Sequence, residues 1–296
     1  MVINKTNEIG IGLIGSGYMG RCHANAFKSV NGLFDLPVKT RLAMLADIDE
    51  QAAKKAGKSL MFQKTTGRWM NLIESDEVDL IAIATPNELH EPMASAAAKA
   101  GKIIYCEKPI STSISSAKRI RDSIQRSGVI NGFGFNYIQN PMIRLAKEII
   151  ESREIGEIMS FRGWHRENYM SNPAIPHSFR TQKEGGGALF DLGSHVISIA
   201  HFLVGEIDTV QADSFTYIKE RYQSSISSFK EPVIVDDHTI SILQFSNGAK
   251  GFLEVNWCAT GRTMDLGFEI SGTHGCVCFS QENFNELKLY RTDKKS

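Results

Sequence analysis

Short apolar runs alternate with amphipathic segments along the first half of the chain. The runs end at small or polar residues and have the length of buried strands, whereas the segments between them repeat apolar positions at helical spacing. The predicted strands are 9–14, 41–46, 78–84, 103–106 and 129–135, and the predicted helices are 21–30, 49–57, 91–100 and 114–127. Repeated β-α units with short connections predict an α/β domain with a parallel, doubly wound sheet.

The pattern changes near Asn136, after which strand-like alternation of apolar and polar residues dominates. Helices are predicted at 140–152 and 190–204, and strands at 158–168, 209–219, 238–245, 249–259, 264–270 and 286–290. Mostly consecutive strands with few helices predict an α+β domain with a large, open, mostly antiparallel sheet. We therefore predict two domains, 1–136 and 137–296, and expect the serine-rich stretch 221–232 to be a mobile loop.

Composition changes this picture little. Hydrophobic residues make up 42% of the chain and charged residues 22%, which is enough for packed cores. The 33 basic and 33 acidic residues cancel, so there is no global positive field to hold a nucleic acid or a membrane surface. We see no secretory leader, no apolar run of membrane-spanning length and no framework spacing among the five cysteines, and we expect a cytoplasmic protein with reduced thiols.

A glycine-rich turn follows the first predicted strand. Its residues are Gly15, Ser16, Gly17, Tyr18, Met19 and Gly20. In a G-x-G-x-x-G turn one glycine makes the bend, the next lets a pyrophosphate approach the backbone, and the third lets helix and strand pack closely. The helix that follows presents free N–H groups to the phosphates. We expect this turn to bind a dinucleotide; a glycine turn shaped only by packing is the alternative.

An acidic residue ends the second predicted strand. Asp47 stands where a carboxylate can accept both ribose hydroxyls of adenosine and repel a 2′-phosphate. This favours NAD over NADP, although NADP stays possible because another loop could supply a cation. Asp49 is better explained as a helix N-cap.

A polar segment follows the third predicted strand at the carboxyl end, where ligands of such sheets bind. Thr85 and Asn87 are expected to lie along the dinucleotide, with His90 close behind them. An ordinary turn in which Asn87 caps the next helix explains the segment equally well.

Glu107, Lys108 and Pro109 end the fourth predicted strand. Proline stops the strand and fixes the turn, which would hold Lys108 over the carboxyl edge of the sheet. A lysine there could donate to a substrate oxygen and stabilise an alkoxide as a hydride leaves. A solvated loop lysine is an equally good interpretation of this local pattern.

A second candidate cluster lies at residues 185–195. Three glycines precede Asp191 and His195, which would share one face of a helix about one turn apart. Neutral imidazole is a suitable base for an alcohol proton near neutral pH, and a nearby carboxylate can orient the ring or bind the substrate. A capping aspartate beside a packed core histidine is the alternative, and the local pattern alone favours it.

Together, in this order and spacing, these elements resemble the glucose–fructose oxidoreductase / inositol dehydrogenase (Gfo/Idh/MocA) family over nearly the whole chain. The resemblance implies a Rossmann domain, and a C-terminal domain that here is expected to be short at its C-terminus. It implies that His195 is the general base, that Asp191 assists it or binds substrate, and that Lys108 contacts cofactor and substrate. Glu107 would lie beside the nicotinamide ribose, and Asn136 near the crossing between the domains.

The segment with Tyr169 and Arg180 further resembles members that act on inositols and anhydrosugars, so both residues are candidate substrate contacts. The family also implies a homo-dimer or homo-tetramer formed through the C-terminal sheet. The hypothesis is an NAD(P)-dependent dehydrogenase of a sugar, anhydrosugar or inositol. The alternatives are an NADPH-dependent aldehyde or ketone reductase and a non-catalytic nucleotide-sensing regulator.

No metal site is expected. His274, Cys276 and Cys278 lack further ligands at suitable spacing, and the two thiols are expected to lie in the core. Asp236, Asp237 and His238 are expected to begin a strand.

Overall fold

A computed structural model describes residues 7–293 of the chain. The chain divides between Gly134 and Phe135 into two compact units. The predicted boundary lies two residues further on. We call the parts before and after Gly134/Phe135 the N-terminal and C-terminal units.

The N-terminal unit is built on one parallel sheet of six strands in the order β3-β2-β1-β4-β5-β6. Its strands are β1 (Glu8–Ile14), β2 (Lys39–Ala46), β3 (Lys64–Thr66), β4 (Leu80–Ile83), β5 (Ile103–Cys106) and β6 (Asn131–Phe133). Its helices are α1 (Tyr18–Leu33), α2 (Glu50–Leu60), α3 (Met70–Glu74), α4 (His90–Lys99) and α5 (Ile114–Ser127). The predicted doubly wound architecture is confirmed.

Apolar side chains on both faces of this sheet explain why its strands lack alternation. Ile11 and Leu13 of β1 pack with Ala24 of α1 and Ala53 of α2 on one face. On the other face, Ile81 and Ile83 of β4 join a separate cluster with apolar residues of α4 and α5. Helices therefore cover both faces, which buries most of the central strands.

Local capping signals set several helix ends in this unit. Asp49 caps α2 by accepting hydrogen bonds from the backbone N–H groups of Gln51 and Ala52, as predicted. Ser113 caps the start of α5, and Gly128 ends it in the left-handed conformation. Strand β3 and helix α3 were not predicted, because three and five residues are too few for a periodic pattern.

The C-terminal unit is built on a seven-stranded sheet in the order β15-β14-β13-β7-β12-β11-β8. Only the β7–β12 pairing is parallel, so the predicted mostly antiparallel sheet is confirmed. The strands are β7 (Ile158–Arg166), β8 (Ile207–Phe215), β11 (His238–Phe245), β12 (Lys250–Asn256), β13 (Asp265–Gly272), β14 (Gly275–Ser280) and β15 (Leu287–Arg291). Strands β9 (Glu220–Tyr222) and β10 (Lys230–Pro232) form a separate hairpin.

Helices α6 (Pro141–Glu151) and α7 (Ser194–Leu203) contribute to the core on one face of the large sheet. Phe161 of β7, Leu253 of β12 and Val277 of β14 face this core. Neighbouring strand residues point the other way. We call that side, which carries Trp164 and Phe252, the outer face.

Two expectations about this unit are wrong. The stretch 221–232 is not simply a mobile loop, because both its ends lie in the β9–β10 hairpin and Arg221 is fully buried. The thiols of Cys276 and Cys278 share one side of β14, but that side is the half-exposed outer face and not the core. Alternation along β14 buries Val277 and Phe279 instead.

Between residues 7 and 293, no helix combines the length and apolar character needed to cross a membrane.

Candidate functional site

The predicted dinucleotide turn lies between β1 and α1. Gly15 has a φ of +97°, and a Cβ there would overlap the carbonyl oxygen of Ala84. A Cβ at Gly20 would overlap the carbonyl oxygen of Gly15, whereas a Cβ at Gly17 would meet nothing within 4 Å. The first and third glycines are thus required by packing, and the second leaves open space. Open space beside a helix N-terminus is what a pyrophosphate needs.

The start of α1 is open to a ligand. Gly17 occupies its N-cap position without a side-chain hydrogen bond, and the next two residues, Tyr18 and Met19, are exposed. The first N–H groups of a helix have no partner within it and favour anions. This end of α1 fits a dinucleotide's phosphates.

Asp47 directly follows β2 and lies beside the glycine turn. Its Oδ2 accepts hydrogen bonds from the Ser16 backbone N–H at 2.9 Å and from the Ser16 hydroxyl at 2.6 Å. Burial raises the pKa of Asp47, but the hydrogen bonds from Ser16, Ile48 and Asp49 outweigh it and hold the pKa below its ordinary value. The group is therefore an anion at neutral pH, as the recognition of ribose hydroxyls requires.

The segment after β4 is braced by His90. This histidine is fully buried at the start of α4, and its two ring nitrogens lie 2.9 Å from the Pro109 carbonyl oxygen and 3.1 Å from the Thr85 carbonyl oxygen. Burial lowers the pKa of His90. The ring thus links the segment after β4 to the turn after β5, and its polar atoms face the backbone.

Thr85 and Asn87 differ from His90 in exposure. Both are partly exposed in the segment between β4 and α4, and Asn87 begins a short 3-10 helix that ends at Leu89. Pro86 occupies the N-cap of that helix and Leu89 the N-cap of α4. Asn87 is therefore not the cap residue of either.

Glu107 and Lys108 follow β5. Glu107 is only 6% exposed, and its Oε2 accepts a hydrogen bond from the Lys108 backbone N–H at 3.0 Å. The Lys108 side chain is partly exposed. Thus the glutamate fixes the main chain at the lysine, and the lysine is the group that a ligand can reach.

In the C-terminal unit, a short π-helix at Leu189–Gly193 runs directly into α7. Asp191 lies in the π-helix and His195 in the first turn of α7. The sequence predicted an ordinary α-helical turn between them, which is wrong for this segment. A π-helix contains one extra residue per hydrogen-bonded turn and is frequent at functional sites.

His195 is 8% exposed and packs against other rings. The Tyr137 ring meets it edge-on with centroids 4.7 Å apart, and the His165 ring lies 5.8 Å away. His165 is held by the Leu192 carbonyl oxygen at 3.1 Å and by Glu167 Oε1 at 2.9 Å. These contacts fix the orientation of the His195 imidazole. Asn136, next to Tyr137, is exposed and opens a short 3-10 helix.

Two of the predicted residues, Tyr169 and Arg180, contact a third, Asp191. Its Oδ2 accepts hydrogen bonds from the Tyr169 hydroxyl at 2.7 Å and from Arg180 Nε at 2.8 Å. Burial lowers the pKa of Arg180, but the interactions with Asp191 and Tyr169 together outweigh it and the pKa is raised, so the pair is ionic. Burial and Asp191 also raise the pKa of Tyr169, which therefore remains a neutral hydroxyl. The cluster offers hydrogen-bond donors and acceptors of the kind that bind hydroxyl groups.

Two supporting residues were missed by the sequence analysis. Asp236 Oδ2 accepts hydrogen bonds from the Leu189 backbone N–H at 2.9 Å and the Thr239 hydroxyl at 2.8 Å, which anchors the start of the π-helix. Arg221 donates to the carbonyl oxygens of Met170, Asn172 and Ile175, which holds the loop that follows Tyr169. Both residues are distant in the sequence from the segments that they hold. The one sequence feature related to Asp236 is the glycine at position 187, because a Cβ there would overlap the Asp236 carboxylate.

Two families match the chain, one for each unit. Residues 9–135 match the family described as "Oxidoreductase family, NAD-binding Rossmann fold". Residues 143–278 match the "GFO/IDH/MocA C-terminal domain".

Characterised proteins are similar along almost the whole chain. Levoglucosan dehydrogenase of Pseudarthrobacter phenanthrenivorans is 36% identical over 299 residues, which cover 95% of this chain and 76% of that protein. Myo-inositol 2-dehydrogenase of Thermotoga maritima is 25% identical over 286 residues, 96% of this chain and 78% of that one. A solved structure of levoglucosan dehydrogenase with NADH and levoglucosan is 36% identical, with a TM-score of 0.93 over 97% of this chain and 77% of its own.

Proposed function

Because the chain belongs to the Gfo/Idh/MocA family of NAD-binding oxidoreductases, we propose that it oxidises a hydroxyl-bearing carbon of a sugar, an anhydrosugar or an inositol. NAD⁺ accepts the hydride from that carbon. The observation that carries the proposal is the likeness, over 97% of the chain, to a structure that holds both NADH and levoglucosan. Among the three substrate classes, this likeness favours a neutral anhydrosugar.

In this proposal the N-terminal unit holds NAD. The N–H groups at the start of α1 bind the phosphates, with Gly15, Gly17, Tyr18, Met19 and Gly20 around them. Asp47 accepts from the adenosine ribose, and the 85–87 segment lies along the dinucleotide. The fit is supported by the open space at Gly17 and by the ionised carboxylate of Asp47. His90 acts indirectly, because its ring holds the backbone of Thr85.

Lys108 and His195 share the acid–base work in this proposal. The Lys108 ammonium donates to the substrate oxygen and stabilises the negative charge that grows there. The His195 imidazole takes the hydroxyl proton, and in the reverse direction it returns that proton to the carbonyl oxygen. Glu107 fixes the main chain at Lys108, an assignment supported by the hydrogen bond to the Lys108 N–H.

The sugar is held by the remaining polar groups. Asp191 accepts hydrogen bonds from substrate hydroxyls while Tyr169 and Arg180 fix its carboxylate, and Asn136 adds an exposed amide. Support comes from the two hydrogen bonds that converge on Asp191 Oδ2. One oxygen of the carboxylate is thereby fixed and oriented, which limits the entropy lost when a substrate binds.

The test is NADH formation by the purified chain over a panel of anhydrosugars, inositols and aldoses. We expect turnover on at least one member with NAD⁺. His195→Ala should lower kcat by about 10²–10⁴, the range typical for loss of a general base. His201→Ala, which removes a half-exposed histidine from the same helix, should leave kcat unchanged. Turnover by His195→Ala equal to that of the wild type would remove the assigned role.

We propose further that the outer face of the C-terminal sheet forms a homo-dimer or homo-tetramer. Ile242 is 60% exposed there and lies opposite Phe252 in the β11–β12 register, so this face presents apolar surface to solvent. Light scattering should give two or four times the chain mass of 32.8 kDa, and Ile242→Glu should lower that mass. Ile226→Glu, at an apolar residue that is 96% exposed elsewhere, should not. A wild-type mass of one chain would contradict this arrangement.

A further inference from the structure

A largely buried histidine–glutamate contact links α1 to the turn after β5. His23 Nε2 lies 2.6 Å from Glu107 Oε1, and the two side chains are only 12% and 8% exposed. The residues are 84 positions apart in the sequence. One stands on the helix that begins at the glycine turn, and the other immediately precedes Lys108.

The Glu107 carboxylate is held at both oxygens. His23 Nε2 contacts Oε1, and the Lys108 N–H donates to Oε2 at 3.0 Å. A Cβ at Gly134 would lie 3.0 Å from both carboxylate oxygens. That spacing is tight for any side chain, so the glycine at this position leaves the room that the carboxylate needs to face His23.

The His23 ring is itself fixed. Tyr105 of β5 meets it edge-on with centroids 5.0 Å apart, and Phe27, one turn further along α1, packs edge-on against the same tyrosine at 6.3 Å. Such aromatic contacts restrict the ring's rotation. Nε2 is thereby aimed at the glutamate.

We propose that His23 is a positioning residue for Lys108, and that it acts through Glu107 to couple the dinucleotide helix to the lysine. Phosphates bound at the start of α1 stabilise that helix, the helix holds His23 against Glu107, and Glu107 fixes the backbone that carries Lys108. Cofactor binding thereby strengthens contacts that already align the lysine. The catalytic meaning of this inference rests on the proposed function.

The first test needs no turnover. Amide hydrogen exchange is followed by mass spectrometry in peptides spanning Lys108, with and without NAD⁺, in the wild type, His23→Leu and His23→Gln. Leucine fills space without a donor, whereas the glutamine amide reaches the position of Nε2. We expect NAD⁺ to slow exchange at Lys108 in the wild type and His23→Gln but not in His23→Leu. Equal NAD⁺-dependent protection in all three proteins would overturn the proposal.

The second test separates positioning from binding by kinetics. His23→Leu should lower kcat by about tenfold or more, because a displaced reacting group loses alignment, and should change the KM values for NAD⁺ and sugar less than about twofold. His23→Gln should recover most of the loss. Cys22→Ala, at an exposed neighbour on α1, is the matched control and should behave as the wild type. An unchanged kcat with a raised KM for NAD⁺ would mean that His23 merely supports the helix.

The two proposals fail in different ways. A wild type that turns over no member of the panel, yet shows NAD⁺-dependent protection lost only in His23→Leu, refutes the proposed function and retains the coupling. If His23→Leu does not fold, His23→Asn replaces it, because its amide is one carbon too short to reach Glu107. Identical exchange and kcat in His23→Asn and His23→Gln would then overturn the coupling.

Discussion

The choice between the two nicotinamide dinucleotides depends on a single carboxylate. Asp47 is ionised because hydrogen bonds from Ser16 and the following backbone hold its pKa below the ordinary value. An anion at this place repels the 2′-phosphate of NADP. The same hydrogen bonds fix the carboxylate next to the glycine turn. The preference for NAD over NADP is therefore present before any cofactor binds.

Asp47→Asn should therefore reduce the discrimination between the two cofactors. We expect the ratio of kcat/KM for NAD⁺ to that for NADP⁺ to fall by about tenfold, which corresponds to about 1.4 kcal/mol. Because the pKa of Asp47 lies below its ordinary value, Asp47 stays ionised between about pH 6 and pH 8, and a change of the wild-type ratio in that range follows the ionisation of the 2′-phosphate of NADP⁺, whose second pKa is about 6.

Asp49→Ala is the matched control for that substitution. It removes the N-cap of α2 and should cost about 1 kcal/mol of unfolding free energy, but it should leave the cofactor ratio unchanged. A ratio unaltered by Asp47→Asn would show that another group sets the choice.

Among the secondary-structure elements, the π-helix at Leu189–Gly193 depends most on a partner from elsewhere. Asp236 accepts from its first N–H, and Gly187, with a φ of +99°, leaves the space for that carboxylate. Burial raises the pKa of Asp236 above its ordinary value, and hydrogen bonds from Thr239 and Leu189 only partly offset this. The carboxylate is thus kept in an environment that disfavours its charge.

The pH dependence of stability follows from that raised pKa. The folded protein holds the Asp236 proton more tightly than the unfolded chain, so this group's contribution is fully present below a pH of about 3.8 and is lost as the pH rises through the folded pKa. Asn does not titrate. The unfolding free energy of Asp236→Asn relative to the wild type should therefore increase with pH across that window, as measured by urea unfolding.

Asp236→Ala provides the contrast, because it removes the acceptor for the Leu189 N–H altogether. It should lower stability at every pH and also lower kcat, since the π-helix carries Asp191 and leads into His195. A pH-independent difference between Asp236→Asn and the wild type would contradict the raised pKa.

Elements with local signals could be predicted from the sequence, and the rest could not. The strand, glycine turn and helix around Gly15 were predicted because the spacing of the three glycines is a pattern of six residues, although the approach of Ala84 to Gly15 is not visible in it. The π-helix was predicted as an α-helix, since one extra residue in a turn leaves no distinct periodicity. The β9–β10 hairpin was missed because polar serines dominate the segment, whereas its fixation comes from Arg221 and distant carbonyl groups.

The site itself was predictable as a set of residues but not as a set of contacts. Tyr169, Arg180 and Asp191 were chosen from separate segments, and nothing in their spacing indicated that two donors converge on one carboxylate oxygen. His90 was predicted to contact the cofactor because it is close in sequence to Thr85 and Asn87. Its ring nitrogens instead lie beside the carbonyl oxygens of Pro109 and Thr85. The partners that Asp191 and His90 contact are set by tertiary packing, which a single sequence does not display.

The whole molecule divides its ligands between two units that each have a core of their own. On the proposed function, the glycine turn and Asp47 belong to the dinucleotide, whereas Tyr169, Arg180 and Asp191 belong to the sugar. Each ligand should then stabilise the unit that binds it, because binding to the native state lowers the population of locally opened forms.

Hydrogen exchange across the full chain tests this division. NAD⁺ alone should slow exchange around residues 15–20 and 47, and a sugar substrate added afterwards should slow it around 169–195. At 100 times its Kd, NAD⁺ should add about 2.7 kcal/mol to the stability of the region it protects.

Gly17→Ala is the informative variant, because its Cβ meets nothing in the protein but stands in the space assigned to the phosphates. The variant should fold with the wild-type Tm and lose the NAD⁺-dependent protection. Protection of the wild type by NAD⁺ that appears chiefly in the C-terminal unit would contradict the assignment of the dinucleotide to the glycine turn.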